Sequence, residues 1–140
     1  MKKIFTVLSL IVVLYAKDLP IKNQNVSPDE MKKQNVKIVL LSATELSKTL
    51  PQKIDKYTRL LRVEADNTTL IYSFEINSTK SDDIIKKEDK SRMREGVTMG
   101  VCKDSKRFLD AMISIKYNYI SAKSSDILFS FDINREKCAK

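Results

Sequence analysis

Four stretches of this chain alternate apolar and polar residues with a period of two, and in each the apolar positions fall on a single face. Leu61, Val63 and Ala65 share a face of a first strand beginning near Thr58, and Leu70, Tyr72, Phe74 and Ile76 share a face of a second. Ile113, Ile115, Tyr117 and Tyr119 repeat the pattern, as do Ile127, Phe129, Phe131 and Ile133. The opposite side of the second strand carries Thr69, Ser73 and Glu75, with only Ile71 apolar. Strands of this kind build a sheet with one dry face, which another layer of the chain must cover.

The remaining segments supply that layer. Ser27-Pro28-Asp29-Glu30 reads as a helix start, with Ser27 as cap, Pro28 in the first position and Glu30 where a capping box places its acid. The helix is expected to run toward Leu50 and to stop at Pro51, although the branched run Val36 to Leu41 keeps a short buried strand as the competing reading. A tight turn at Asp66-Asn67 joins the first two strands. After the second strand, Ser81 is the expected cap of a helical stretch with Asp82-Asp83 in its first turn. Val97, Val101, Phe108 and Met112 fall at helical spacings there and are expected on the dry face of the sheet. Gly96 and Gly100 are the only glycines of the chain, and the favoured reading is a break between two helices rather than close helix packing. The order helix, hairpin, helices, hairpin predicts an α+β fold: an antiparallel four-stranded sheet of two hairpins with helices packed on one face, one domain over residues 27–140.

The amino-terminal residues read as an export signal: Met1-Lys2-Lys3, the apolar run Ile4 to Tyr15, then Ala16 before Lys17-Asp18. A retained anchor is the competing reading, but about 12 apolar residues fall short of the ~20 a spanning helix needs. The expectation is a cleaved signal over 1–16, a flexible lead over 17–26, and a periplasmic protein that begins at Lys17. The nearest cysteine to the cleavage site is Cys102, so no lipid anchor is expected.

An oxidising compartment gives the cysteine count its meaning. Cys102 and Cys138 are the only two, and an even count in an exported chain points to a structural disulfide. A redox-active pair would more naturally use Cys-x-x-Cys spacing.

Histidine is absent, which removes Ser-His and Cys-His nucleophiles and the usual zinc sites; no cofactor and no metal are expected. Asp82-Asp83 and Glu88-Asp89 lie among Lys86, Lys87 and Lys90, and read as a solvated helix face. The formal net charge of +8 is spread among acids along the chain, and loses Lys2 and Lys3 with the signal. That distribution argues for solubility and against a nucleic-acid partner, while leaving weak peripheral contact with anionic membrane surfaces open.

Leu50-Pro51, Ile54-Asp55, Thr58 with Leu60, Tyr72, Cys102, Tyr117-x-Tyr119, Phe131-x-Ile133 and Cys138 together form a pattern. From about residue 45 to 138 it resembles the small disulfide-bonded periplasmic domains that include the beta-class pilotins of type II secretion systems. The resemblance implies an α+β domain that binds a C-terminal segment of the secretin subunit, with a lipid anchor carrying the complex to the outer membrane. Lacking the lipidated cysteine, this chain would keep the domain and a groove for a partner's helix.

Glu75-Ile76-Asn77-Ser78-Thr79 fits the extended acceptor, acidic-x-Asn-x-Ser/Thr, resembling that used by bacterial periplasmic oligosaccharyltransferases. Asn77 is therefore the glycosylation candidate. Asn67-Thr68-Thr69 and Asn25-Val26-Ser27 match only the shorter form.

Three functions compete. The first is a non-enzymatic periplasmic binding or assembly-accessory protein, pilotin-like, whose partner is a periplasmic or outer-membrane protein such as a secretin-like helix. The second is an inhibitor or immunity-like protein that blocks another exported protein. The third is a small hydrolase using Asp55 with Glu64 or Asp132. An apolar groove would favour the first, a flat charged patch the second, and converging carboxylates the third.

Overall fold

The computed structural model describes residues 26–139. The signal at 1–16, nearly all of the lead and the sequon at Asn25 lie outside the described residues.

Helix α1 spans Pro28–Ser47. Its capping box forms as the sequence predicts: the Glu30 N–H donates to the Ser27 hydroxyl at 3.3 Å, and the Ser27 N–H donates to the Glu30 carboxylate at 3.3 Å. The Val36 to Leu41 run is helical, so the strand alternative is removed. Asn35, Val39 and Ala43, spaced four apart, form the buried stripe. The Asn35 amide donates to the Ala111 carbonyl at 2.7 Å, which fixes the helix against the far end of the domain.

Five strands follow the helix, interrupted by a helical connection. They are β1 (Gln52–Lys53), β2 (Thr58–Asp66), β3 (Thr69–Ile76), β4 (Ser114–Ser121) and β5 (Ile127–Ile133), in spatial order β1-β2-β3-β4-β5. The antiparallel four-stranded sheet expected from two hairpins is corrected here: the sheet has five strands and is mixed, because β3 and β4 pair in parallel. Both expected hairpins exist, β2 with β3 and β4 with β5. Residues 77–113 cross back over the sheet between them, and a connection that returns the chain to the starting end makes the next strand parallel.

That connection holds α2 (Asp82–Glu88), α3 (Lys90–Asp104) and α4 (Lys106–Asp110). The breaks fall at Asp89 and Ser105. Gly96 and Gly100 lie inside α3, neither has a positive φ, and a Cβ on either would meet nothing within 4 Å. The expected glycine break is therefore wrong, and close packing is absent as well. α4 ends in a Schellman turn, in which the Ile113 N–H donates to the Phe108 carbonyl at 2.9 Å and Met112 takes φ 67°. That conformation turns Met112 outward, 62% exposed, and the core position expected of it goes to Leu109.

Two bulges alter the predicted faces. Leu60 pairs with Phe74 while Arg62 pairs with Ser73, so Leu61 is the extra residue and the inward positions become Leu60 and Val63. Ala65 is exposed. A second irregularity beside Ile120 leaves Ile127 exposed and buries Leu128. The remaining inward residues agree with the alternation, and one cluster unites Val39, Leu70, Phe74, Ile85, Val101, Leu109, Ile115, Tyr119, Phe129 and Phe131. The helices cover that one face, α1 chiefly over β2 and α3 over β5 and the closing 3-10 turn Arg135–Cys138. A disulfide joins Cys102 of α3 to Cys138, with Cα atoms 5.5 Å apart.

Candidate functional site

α1 lies over β2 and α3 over β5, and between Met93 of α3 and the turn before β2 the sheet stays open over β3 and β4. Four aromatic residues meet there across the parallel pair. Ring centroids are 5.2 Å apart for Tyr72 and Tyr117, 4.8 Å for Phe74 and Tyr117, and 5.2 Å for Phe74 and Tyr119. The parallel register sets Tyr72 beside Tyr117 and Phe74 beside Tyr119, so the aromatic floor follows from the crossover that the sequence did not reveal.

Leu60 continues the floor onto β2, while Ile54 and Met93 form walls around a groove of ≈ 420 Å³. Ile54 is 52% exposed, an apolar side chain held in water at the groove's rim. A second hollow of ≈ 630 Å³ shares Asp55, Thr58 and Met93 with the first and opens toward Lys56, Lys80, Asp89 and Arg92. The site is thus an apolar trough with a charged mouth.

The phenols stay neutral. Burial pushes the Tyr72 hydroxyl up to about 12, with the neighbouring Tyr117 adding to the effect. Tyr117 is raised by burial and then by Asp104; Tyr119 is raised by burial and then by Tyr117 and Asp55. A surface of this kind offers aromatic rings with neutral hydroxyl tips.

The candidate acids do not converge. Asp55 accepts the Tyr57 and Thr58 N–H groups at 2.8 and 2.9 Å, closing the turn before β2. Glu64 pairs with Arg62 at 3.0 Å, and Asp132 stands 3.9 Å from Lys116. Cross-strand register places Glu64 and Asp132 on the outer face, on strands β2 and β5, away from Asp55. Neither pair of the competing hydrolase reading, Asp55 with Glu64 or Asp55 with Asp132, is therefore assembled. Among the described residues no three metal-ligating side chains cluster, and no helix is long and apolar enough to cross a membrane.

Two acids have roles the composition of their helix concealed. Asp82 accepts hydrogen bonds from the Ser121 hydroxyl at 2.8 Å and the Ser124 hydroxyl at 3.0 Å, tying α2 to the β4–β5 loop. Asp89 pairs with Arg92 at 2.8 Å across the α2–α3 junction. The solvated-face reading is corrected for Asp82, whose partners are distant in sequence, while Asp89 makes a local pair with the exposed Arg92.

Asn77 is exposed directly after β3, and its N–H donates to the Tyr57 carbonyl at 2.8 Å. Glu75 lies inside β3 between two neighbouring strands, with its carboxylate held by Arg59 at 2.7 Å. The two halves of the extended acceptor are thus in different environments. Of the groove residues, Ile54 and Leu60 entered from the sequence only as parts of the pilotin-like pattern, and Met93 was not singled out at all.

Three solved structures share the fold. A Pseudomonas aeruginosa protein inferred to be secreted, PA3611, has a TM-score of 0.69 at 14% identity, covering 77% of this chain and 96% of that one. The pilotin EpsS from the Vibrio vulnificus type 2 secretion system has a TM-score of 0.68 at 13% identity, covering 80% and 98%. The type II secretion system pilotin AspS from Vibrio cholerae has a TM-score of 0.63 at 17% identity, covering 79% and 97%. At these identities the likeness is one of fold, and at that level the resemblance to pilotins read from the sequence is present. No curated protein matches the chain. Residues 32–129, more than half of the chain, match the family described as "Domain of unknown function (DUF8479)", and to that family the chain belongs.

Proposed function

We propose that this protein is a non-enzymatic periplasmic binding or assembly-accessory protein, a pilotin-like domain without a lipid anchor, whose aromatic groove holds the apolar stripe of a partner's helix. The observation that carries the reading is the gap over β3 and β4, floored by Leu60, Tyr72, Phe74, Tyr117 and Tyr119 and left open by the described helices. Helix-in-groove recognition needs such a trough, with apolar anchors three to four residues apart on the incoming helix. The pilotin fold of two structural relatives supports the assignment, and an outer-membrane secretin-like helix is the partner it suggests. The export signal at 1–16 supplies the periplasmic address.

An inhibitor or immunity-like role would use the outer sheet face, which carries charged side chains. Its acids and bases are largely matched to one another, Arg59 with Glu75 and Arg62 with Glu64, so less charge is left for a partner.

The test is capture of partners from the periplasm by wild type, by Met93→Glu and Tyr117→Glu, and by the double variant Asp55→Asn with Glu64→Gln. A secretin-like protein should be captured by wild type and by the amide variant, and lost from both groove variants while their folded circular dichroism persists. A synthetic peptide from the captured protein should become helical on binding. Capture that survives both groove variants, or that fails only in the amide variant, would overturn the proposal.

A further inference from the structure

A second concave site lies at the β5 edge of the sheet, which no other strand pairs among the described residues. β5 is the terminal strand in the spatial order, and a hollow of ≈ 460 Å³ runs between it and α3, lined by Arg94, Thr98, Ser130, Phe131, Asp132 and Lys137. The Asp132 carbonyl accepts a hydrogen bond from the Lys137 ammonium. That carbonyl therefore points away from β4. By antiparallel alternation the backbone N–H and C=O of Ser130 point the same way, toward solvent. An edge with unpaired backbone groups beside a helix is the geometry used by domains that add a partner's segment as an extra strand.

The charges select what such a segment would carry. Arg94 stacks over the Phe131 ring, 5.7 Å from its centroid, which holds the guanidinium over the notch. Neither Arg94 nor Lys137 has a carboxylate partner among the described residues. The Cys102–Cys138 bond anchors the turn carrying Lys137 to α3, so the two cations share one frame. A second copy of the chain would bring its own Arg94 and Lys137 to the same notch, and like charges disfavour β5-to-β5 pairing.

We propose that the β5 edge binds an extended acidic segment of a protein partner as a sixth strand, with Arg94 and Lys137 pairing its carboxylates. In the free protein Lys137 covers the Asp132 carbonyl, as edge lysines do against unwanted pairing. An acidic side chain on the incoming strand draws the ammonium off that carbonyl and frees it for the ladder. This goes beyond the groove reading and does not rest on it, since the two sites lie over different strands.

The test uses the purified, disulfide-bonded protein and an end-blocked eight-residue peptide of alternating glutamate and valine, with the lysine-valine peptide as control. Amide resonances of Ser130, Asp132 and Thr98 should shift with the acidic peptide and not with the basic one. Binding should weaken roughly tenfold in Arg94→Gln, about one charge-assisted hydrogen bond, and likewise in Lys137→Gln. Both positions are on the surface, so the variants should keep wild-type spectra. Absence of shifts at millimolar peptide overturns the proposal. So do shifts centred on Tyr72 and Tyr117, wild-type affinity in both variants, or peptide-independent dimers formed through β5.

Discussion

Gly96→Ala and Gly100→Ala should each stabilise the protein. Both glycines lie inside the 15-residue helix α3 with no positive φ, so neither uses the conformational freedom that justifies glycine. A methyl group at either position meets nothing within 4 Å, so it neither clashes nor fills a cavity. What remains is the entropy lost by glycine on entering a helix, about 0.8–1.0 kcal/mol per residue relative to alanine. The sites make no contact through the added methyls, so the effects should add to nearly 2 kcal/mol. Against a typical total of about 5–15 kcal/mol that is a visible change. For a domain of this size the double variant should melt roughly 6–12 °C higher. Urea unfolding of the two single variants and the double variant measures it, with the midpoint rising and the slope unchanged. A single variant that is neutral or less stable would refute the reasoning, and would mean that the face carrying Gly96 and Gly100 is occupied in the folded protein.

Cys102→Ser should cost about 4 kcal/mol, from the 36-residue separation of the bridged cysteines and the chain-entropy relation; melting within a degree or so of wild type would reject that role. Stability should be flat up to about pH 10 and then fall toward pH 12, because the Tyr72 phenol holds its proton to about 12 when folded and loses it near 10 when unfolded. The folded state therefore binds more protons in that window, and Tyr72→Phe should flatten the decline in alkaline denaturation; an unchanged slope would contradict the burial argument. In a host with a periplasmic N-glycosylation system, intact mass should show a glycan on wild type that is lost in both Asn77→Gln and Glu75→Gln. Persistence in Glu75→Gln would show that the acid does not direct modification, and because Glu75 is locked in β3 by Arg59, the purified folded protein should be a poor acceptor.

The legible parts of the fold share one property: their cause lies within a few residues. The Ser27–Glu30 capping box, the alternation of Leu70, Tyr72, Phe74 and Ile76, and the helical spacing of Val97 and Val101 are local patterns, and each appears in the structure as read. The misreadings occur where one extra residue or one special dihedral changes a face. Leu61 as a bulge residue moved the inward set of β2, and Met112 with a positive φ left the core. For the candidate site, the aromatic residues were visible as inward positions and Ile54 as part of the family pattern, but Met93 gave no sign that it would frame a groove.

The sequence by itself determined two amphipathic hairpins, a covering helical layer and a pair of cysteines able to close it, because periodicity, capping chemistry and residue count are properties of the chain alone. Tertiary structure decided that β3 and β4 run parallel, since residue periodicity does not record how often a connection crosses a sheet. The same crossover aligned Tyr72 with Tyr117 and Phe74 with Tyr119. It also carried α3 across the sheet to β5, and the groove is the space between Met93 on that helix and Ile54 in the turn before β2, two residues brought together by contacts far apart in the chain.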